Sequence, residues 1–254
     1  MFIQPNNKAS IYSLSRSLNS AFAGIYKSLE KLSSGFSINS AVDGPADLII
    51  SEQFRARIAS LNQEIENTTM SIAKYNTASS SLSEIRTQLT ELRSLALGAA
   101  NEGVNDGAMQ QAYADSAENI VSSVNLAIAK SEFNGMPLLD GSDSSLADID
   151  DLMNIDLSSA EGAAASIEVI DAKINEIDSA TVDIGATQKY ELESQLRSMR
   201  ISRENLMAAE SNLRATDYAL EYTNFIVAQF KAKAGLALLS HYRISSQTVL
   251  SLFD

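Results

Sequence analysis

The sequence contains no cysteine and no tryptophan, and His241 is its single histidine. Without cysteine the chain has neither a disulfide nor a thiolate nucleophile, and no second histidine or cysteine can share a metal ion with His241. We therefore interpret His241 as a surface residue. The sequence predicts no catalytic residue, no cofactor-binding residue and no metal site, and hence no enzyme.

Positive charge and long apolar runs are also scarce. The chain carries 19 Lys and Arg against 32 Asp and Glu, whereas nucleic-acid binding depends on clustered basic side chains. No stretch approaches the roughly 18 apolar residues of a membrane-spanning helix. Residues 1 to 7 also lack the basic start and apolar run of a secretory signal peptide. We expect no nucleic-acid partner, no membrane partner and, for any export, a route without a cleaved signal.

Proline and glycine are few, with 3 and 11 residues, and this composition favours long helices packed side by side. Near the N-terminus, apolar residues three and four positions apart form one stripe, which predicts a helix buried against another helix. The stripe consists of Ile11, Leu14, Leu18, Phe22, Ile25, Leu29 and Leu32.

The same spacing recurs further along the chain and predicts a bundle or coiled coil of long helices. It predicts a helix over residues 45 to 97, about 80 Å long, with a change of winding where the repeat slips at Ser79 to Ser81. A reversal is predicted at Gly98 to Gly107. Further helices are predicted from Met109 to Lys130 and from near Ala160 onward.

The segment from Asp140 to Ser159 is acidic and rich in serine. We interpret it as a solvated loop, with at most a short hairpin nearby. Its carboxylates lack the glycine and the closing glutamate of an EF-hand, so a loop is favoured over a calcium site. The residues concerned are Asp148, Asp150, Asp151 and Asp156.

The C-terminal segment from Tyr218 to Phe253 is apolar on more than one side. A single helix cannot bury all of these residues against one N-terminal stripe, so part of the surface should be exposed in a monomer. Few basic residues accompany it, which disfavours a membrane-surface helix. We predict packing against copies of the same chain, which builds a filament when the contacts do not close. The predicted subunit-packing residues are the seven residues of the N-terminal stripe, Ile11 to Leu32, together with Phe225, Ile226, Phe230, Leu236, Leu239, Val249, Leu250 and Leu252.

Three stretches resemble the bacterial flagellins. Residues 32 to 47 read LSSGFSINSAVDGPAD, similar to the family's N-terminal signature Leu-Ser-Ser-Gly-x-x-Ile-Asn-Ser-Ala-x-Asp-Asp-x-Ala-Gly. Residues 205 to 219 and 249 to 253 are similar to its C-terminal signatures. Gly44 and Asp47 depart from the first signature, and Asp254 replaces the usual basic end.

The resemblance implies a mainly α fold, a long antiparallel coiled-coil bundle with at most a short β-hairpin near residues 133 to 160. It implies an inner polymerisation domain formed by residues 1 to 44 and 215 to 254. An outer rod of residues 45 to 214 would carry the short acidic loop at 136 to 159 in place of a large variable region. The connecting spoke would contain Ser33, Ser34, Gly35, Asn39, Asp43 and Pro45.

The implied function is that of an extracellular structural subunit that polymerises into the flagellar filament for swimming. The resemblance further implies export as an unfolded monomer by the flagellar type III apparatus, and partners that include an export chaperone and the filament cap and junction proteins. A hook-filament junction protein is the alternative. A secreted binding or enzymatic protein with flagellin-like ends is disfavoured, because residues 136 to 159 are too few for a middle domain.

A motif on the second long helix bears on recognition by the flagellin-sensing Toll-like receptor. In some relatives a Gln-Arg-Val-Arg-Glu-Leu run contributes to that recognition. The aligned residues here are TELRSL at positions 90 to 95, so Glu91 reverses the charge of the first arginine. We expect weak recognition through the equivalents Leu89, Glu91, Arg93 and Leu95, and a receptor reporter assay with the monomer tests this.

Overall fold

The computed structural model describes residues 6–103, 105–141, 146, 149, 152 and 155–250, with the main chain alone at 6–8 and 242–250. Its helices are α1 (Asn6–Ser34), α2 (Pro45–Ala99), α3 (Gly107–Lys130), α4 (Ala160–Ala186), α5 (Glu193–Arg214) and α6 (Tyr218–Leu250). The short strands β1 (Glu132–Phe133) and β2 (Met136–Pro137) pair antiparallel. The fold is therefore mainly α, in agreement with the sequence prediction.

The chain divides into two compact units, and each is formed by segments distant in sequence. Unit 1 contains residues 1–60 and 203–254, and unit 2 contains residues 61–202. Helices α2 and α5 contribute to both units. Among the described helices, none combines the length and the apolar character needed to cross a membrane.

In unit 1, α1 and α6 run antiparallel and meet along small residues. Ala21 of α1 and Ala232 of α6 are both buried. Gly235 allows α1 to approach closely, because a Cβ atom there would lie 3.0 Å from Cδ1 of Leu18. The contact between these two helices, which we call the α1–α6 seam, is therefore narrow and closely packed.

The core of unit 2 is formed by one apolar face of α2 together with α3 and α4. Leu82, Ile85, Leu89 and Leu92 of α2 are completely buried. They belong to the same cluster as Val124 of α3 and as Ile170 and Ile177 of α4. The helical spacing of these side chains is the pattern from which the sequence predicted a long α2 helix, and α2 runs without a break through Ser79 to Ser81.

Two ion pairs fix the register of α2 against α4. Arg86 Nε donates to Asp178 Oδ1 at 2.6 Å, and Arg93 Nε donates to Asp171 Oδ1 at 2.5 Å. The residue numbers decrease along α2 as they increase along α4, so these helices are antiparallel. The hydrogen bond from Arg93 lowers the pKa of the Asp171 carboxyl.

The hairpin of β1 and β2 turns through two residues with positive φ. Asn134 has φ 54° and Gly135 has φ 75°, and a two-residue Asn-Gly loop suits the twist of a tight hairpin. The hairpin follows α3 directly and lies at the beginning of the region 133 to 160 in which the sequence predicted it.

The acidic segment after the hairpin is not solvated along its whole length, and this corrects the interpretation from its charge. Ile149, Leu152 and Leu157 within this segment are buried in the core of unit 2, as are Leu138 and Leu139 immediately before it. The Asn125 side chain accepts from the Leu152 backbone N–H at 2.9 Å and donates to the Leu152 carbonyl at 3.3 Å. Its amide thus supplies the backbone partners that a buried loop requires.

Candidate functional site

The non-helical linker of residues 35–44, between α1 and α2, is fastened to the junction between α5 and α6. Phe36 and Ala215 form an isolated antiparallel bridge. Ser37 N–H donates to the Arg214 carbonyl at 2.8 Å, and Thr216 N–H donates to the Gly35 carbonyl at 2.9 Å. The segment that follows α1 and the segment that precedes α6 are therefore joined at this linker.

Arg214 is the central side chain of this junction. It is only 8% exposed, and its Nε donates to the Ile38 carbonyl at 3.1 Å. Its Nη1 donates to Glu52 Oε1 at 3.0 Å, and its guanidinium lies 4.5 Å from the centre of the Phe36 ring. One side chain thus holds the linker, the first part of α2 and the end of α5 together.

Asp43 organises the other end of the linker. Its Oδ2 accepts from the Ser40 N–H at 3.1 Å and from the Ser40 hydroxyl at 3.0 Å, and its Oδ1 pairs with Lys27 Nζ at 3.1 Å. These interactions, Lys27 first, lower the pKa of Asp43 to about 2. Pro45 follows as the first residue of α2, a position where its missing N–H costs no helical hydrogen bond.

The lowered pKa of Asp43 leads to a pH prediction. Because the folded value lies below the ordinary 3.8, the stabilisation from the ionised carboxylate is present above about pH 4 and is lost as the pH falls toward 2. In Lys27→Met the Asp43 pKa should rise, because its largest cause is removed. Side-chain carboxyl NMR titration measures both values, and an unchanged pKa in Lys27→Met would contradict the assignment.

The predicted spoke residues lie in or beside this linker. Ser33 and Ser34 still belong to the last turn of α1, so the non-helical part of the predicted spoke begins at Gly35. Gly35 has φ 75°, and a Cβ atom there would lie 2.8 Å from the Tyr218 hydroxyl oxygen. Asn39 Nδ2 donates to the Phe36 carbonyl at 3.3 Å.

A partly buried polar pair connects α1 and α6 next to the linker. Ser28 is buried, and its hydroxyl donates to Glu221 Oε1 at 2.6 Å. Lys31 Nζ lies 3.9 Å from Glu221 Oε2. Because a partly buried carboxylate is stabilised by such partners, these residues favour one register of α1 against α6.

The predicted packing residues divide into two groups by exposure. Partly buried ones lie near the seam: Leu14, Leu18, Ile25, Leu32, Phe225 and Leu239. The others are exposed: Ile11, Phe22, Leu29, Ile226, Phe230 and Leu236. Val249, Leu250 and Leu252 lie outside the described side chains.

Further exposed aromatic residues line the same two helices, and the sequence-based prediction did not name them as packing residues. On α1 these are Tyr12 and Tyr26, and on α6 they are Tyr218 and Tyr222. The sequence did contain a signal for them. Large aromatic residues on a second side of an amphipathic helix indicate a second packing surface on that helix.

The receptor-motif equivalents lie on α2 in unit 2. Leu89 is completely buried and Leu95 partly buried, whereas Glu91 is exposed. Arg93 is engaged by Asp171. Weak receptor recognition stays a prediction. Among the residues that the structure describes, no group of three or more His, Cys, Asp or Glu is placed to hold a metal ion.

Family sequence models match at both ends of the chain. The model for the "Bacterial flagellin N-terminal helical region" matches residues 6–144. The model for the "Bacterial flagellin C-terminal helical region" matches residues 167–253. Together the two matches cover most of the chain and leave only a short segment between them.

Individual relatives extend over most of the chain. A flagellin of Halalkalibacterium halodurans is 32% identical and is aligned over 89% of this chain and 90% of its own length. A flagellin of Bacillus subtilis is 29% identical over 97% of this chain and 98% of its own. A flagellar filament 33 kDa core protein of Treponema phagedenis is 26% identical over 97% and 98%. A solved Bacillus cereus flagellin structure shares 22% identity with a TM-score of 0.42, covering 59% of this chain and 93% of that one.

Paired terminal helices, a fastened linker and large apolar side chains on the outside define a helical structural protein. Both family models and the similar relatives agree with this class. The chain belongs to the bacterial flagellin family, whose members are structural subunits of filaments. It is a short form that retains both terminal helical regions without a large outer domain between them.

Proposed function

We propose that this chain polymerises into the flagellar filament through the outward apolar faces of α1 and α6. The observation that carries the proposal is that small side chains lie between the two helices, whereas large apolar side chains face outward. The α1–α6 seam is lined by small residues such as Ala21 and Ala232, whereas Phe230 is 72% and Tyr26 is 71% exposed.

Exposed side chains of this size call for a partner. Soluble monomers rarely expose contiguous apolar patches of more than a few hundred Å². Here several large aromatic side chains are exposed on each of the two helices. Copies of the same chain present the same surface, and head-to-tail contacts that do not close produce an open helical polymer. The family to which the chain belongs supports this assembly.

The linker of residues 35–44 supports the predicted domain organisation. We propose that residues 1–44 and 215–254 form the inner polymerisation domain, that residues 45–214 form the outer rod, and that the linker is the spoke between them. The bridge from Phe36 to Ala215 joins the linker to the proposed boundary between residues 214 and 215, which supports this division. Ser33, Ser34, Gly35, Asn39, Asp43 and Pro45 are then the spoke residues.

Export, location and further partners follow from this proposal. The chain would leave the cell unfolded through the flagellar type III apparatus, with a chaperone on its C-terminal segment, and would assemble outside the cell between cap and junction proteins. Loss of the protein from the culture medium of a strain without that apparatus is the expected result. Secretion that continues in such a strain would contradict the export route.

A hook-filament junction protein is the second candidate within the same class, because its ends are similar in sequence. The two candidates differ in copy number. Electron microscopy of sheared appendages, with mass spectrometry of their subunit, is expected to find this chain along the whole filament. Detection at the filament base alone would favour the junction protein.

Phe230 offers a direct test of polymerisation. Phe230→Asp places a charge on the outward face of α6 without touching the α1–α6 seam. We expect helical circular dichroism to be unchanged and the polymer that sediments from purified subunits, seeded with filament fragments, to fall at least about tenfold.

Phe230→Leu is the matched control, since it retains apolar bulk at the same position, and it should polymerise nearly as the natural chain does. If Phe230→Asp also polymerised normally, the outward face of α6 would not be a subunit contact.

A further inference from the structure

The connection between α4 and α5 is a single π-helical turn, Thr187–Leu192. The main-chain hydrogen bonds there step back five residues, as when Glu193 N–H donates to the Gln188 carbonyl. The segment reads TQKYEL and contains neither glycine nor proline. Such turns usually accommodate one extra residue within an α-helix. Because no glycine or proline explains this turn, we compare the packing of the helices before and after it.

The buried face of α4 repeats every seven residues. Ala163, Ile170, Ile177 and Ile184 are each at most 3% exposed. Continued at the same interval of seven residues, the repeat would fall on Glu191, Ser198, Asn205 and Asn212. All four of these residues are polar, and all four are exposed. A helix that kept this repeat without a π turn would therefore place polar side chains where the buried face of α4 continues.

The partly buried face of α5 lies one residue later. It is formed by Met199, Leu206 and Leu213 of α5, and Leu192 at the end of the turn belongs to the same series. A π turn adds one residue to the chain with almost no further rotation of the helix, so the face that follows it is displaced by one position in sequence. The observed displacement has this size and direction.

Contacts with α2 show that α4 keeps its register up to this turn. Arg93 pairs with Asp171 and Arg86 pairs with Asp178. Within the turn itself, Gln188 Nε2 donates to Asn76 Oδ1 at 2.8 Å. From pair to pair the residue numbers decrease on α2 by the same amount as they increase on the partner helix. The register between α4 and α2 is therefore constant up to the start of the turn, and the shift of one residue occurs within the turn.

We infer that the π turn Thr187–Leu192 accommodates one extra residue between two heptad repeats. We call this turn the phase adaptor, because it keeps the apolar face of α5 in line with the buried face of α4. The adaptor corrects a mismatch between two heptad repeats in the sequence. Removing one residue from it therefore yields an unbroken α-helix in which the faces of α4 and α5 are both retained.

Deletion of Lys189 tests this inference in the full-length chain, because its side chain is exposed and its loss joins the two repeats in phase. The matched control is deletion of Arg200, also exposed, which moves Leu206 and Leu213 off the inward side. Thermal unfolding followed by circular dichroism should place the Tm of the Lys189 deletion within about 3 °C of the natural chain. The Arg200 deletion should lower Tm by roughly 5–10 °C.

Insertion of one alanine between Lys189 and Tyr190 is the reciprocal variant. It displaces the α5 face a second time, so it should lower Tm about as much as the Arg200 deletion does. The inference is overturned if the Lys189 deletion unfolds as early as the Arg200 deletion or fails to fold. An alanine insertion without loss of Tm would overturn it as well, because the turn would then accept any length.

Discussion

Replacement of Arg214 by alanine is expected to release the linker of residues 35–44 from the end of α5. The change leaves the buried Ile38 carbonyl without its partner and removes the contact with the Phe36 ring. Glu52 is half exposed, so its ion pair contributes little. An unpaired buried carbonyl and a lost cation–π contact together cost about 2–4 kcal/mol.

Amide hydrogen exchange measures this effect at the junction itself. The N–H groups of Ser37 and Thr216 form the bridge beside Arg214, and their protection should fall by roughly 30- to 1,000-fold. Arg214→Lys keeps the charge without the planar fork and should give an intermediate loss. Arg197→Ala is the control, since this exposed arginine pairs with Glu193 one turn away at 3.6 Å on the same helix. Unchanged protection in Arg214→Ala would refute the central role of this side chain.

Replacement of Leu89 by alanine is expected to destabilise unit 2 by about 2–5 kcal/mol, the range for truncating a fully buried leucine. Leu89 is completely buried within the cluster formed by α2, α3 and α4. Leu97 lies two turns further along the same helix and is 61% exposed. Leu97→Ala is therefore a control with the same chemical change and should cost less than about 1 kcal/mol.

Urea unfolding followed by circular dichroism compares these two leucine variants. The midpoint should shift strongly for Leu89→Ala and only slightly for Leu97→Ala, with similar slopes for both. Equal midpoints for the two variants would mean that the α2 face is not the core of unit 2.

The long helices could be predicted from the sequence because their apolar residues recur at helical spacing. The stripe of α1 gave the position of that helix, although Ile11, Phe22 and Leu29 are exposed in the single chain. The apolar spacing within residues 45 to 97 gave the position of α2. The start of α2 at Pro45 and the reversal after Ala99 followed from local turn chemistry, which requires no knowledge of distant contacts.

The parts that sequence reasoning missed depend on contacts between distant residues. Burial of Ile149, Leu152 and Leu157 was hidden by the acidic residues around them, and it requires the amide of Asn125 on another helix. The role of Arg214 depends on the linker far away in sequence. The π turn could have been recognised in the sequence from the one-residue shift between two heptad repeats. The sequence-based prediction instead treated this region as a continuous helix.

The small side chains along the α1–α6 seam have a consequence for the free subunit. Ala21, Ala232 and Gly235 bring the two helices close together, but they remove little apolar area from water. In the proposed polymer, the exposed rings of α1 and α6 would therefore contribute more buried apolar area than the α1–α6 seam does. The stability of this helix pair would then rise with the concentration of neighbouring copies, which couples it to growth of the polymer.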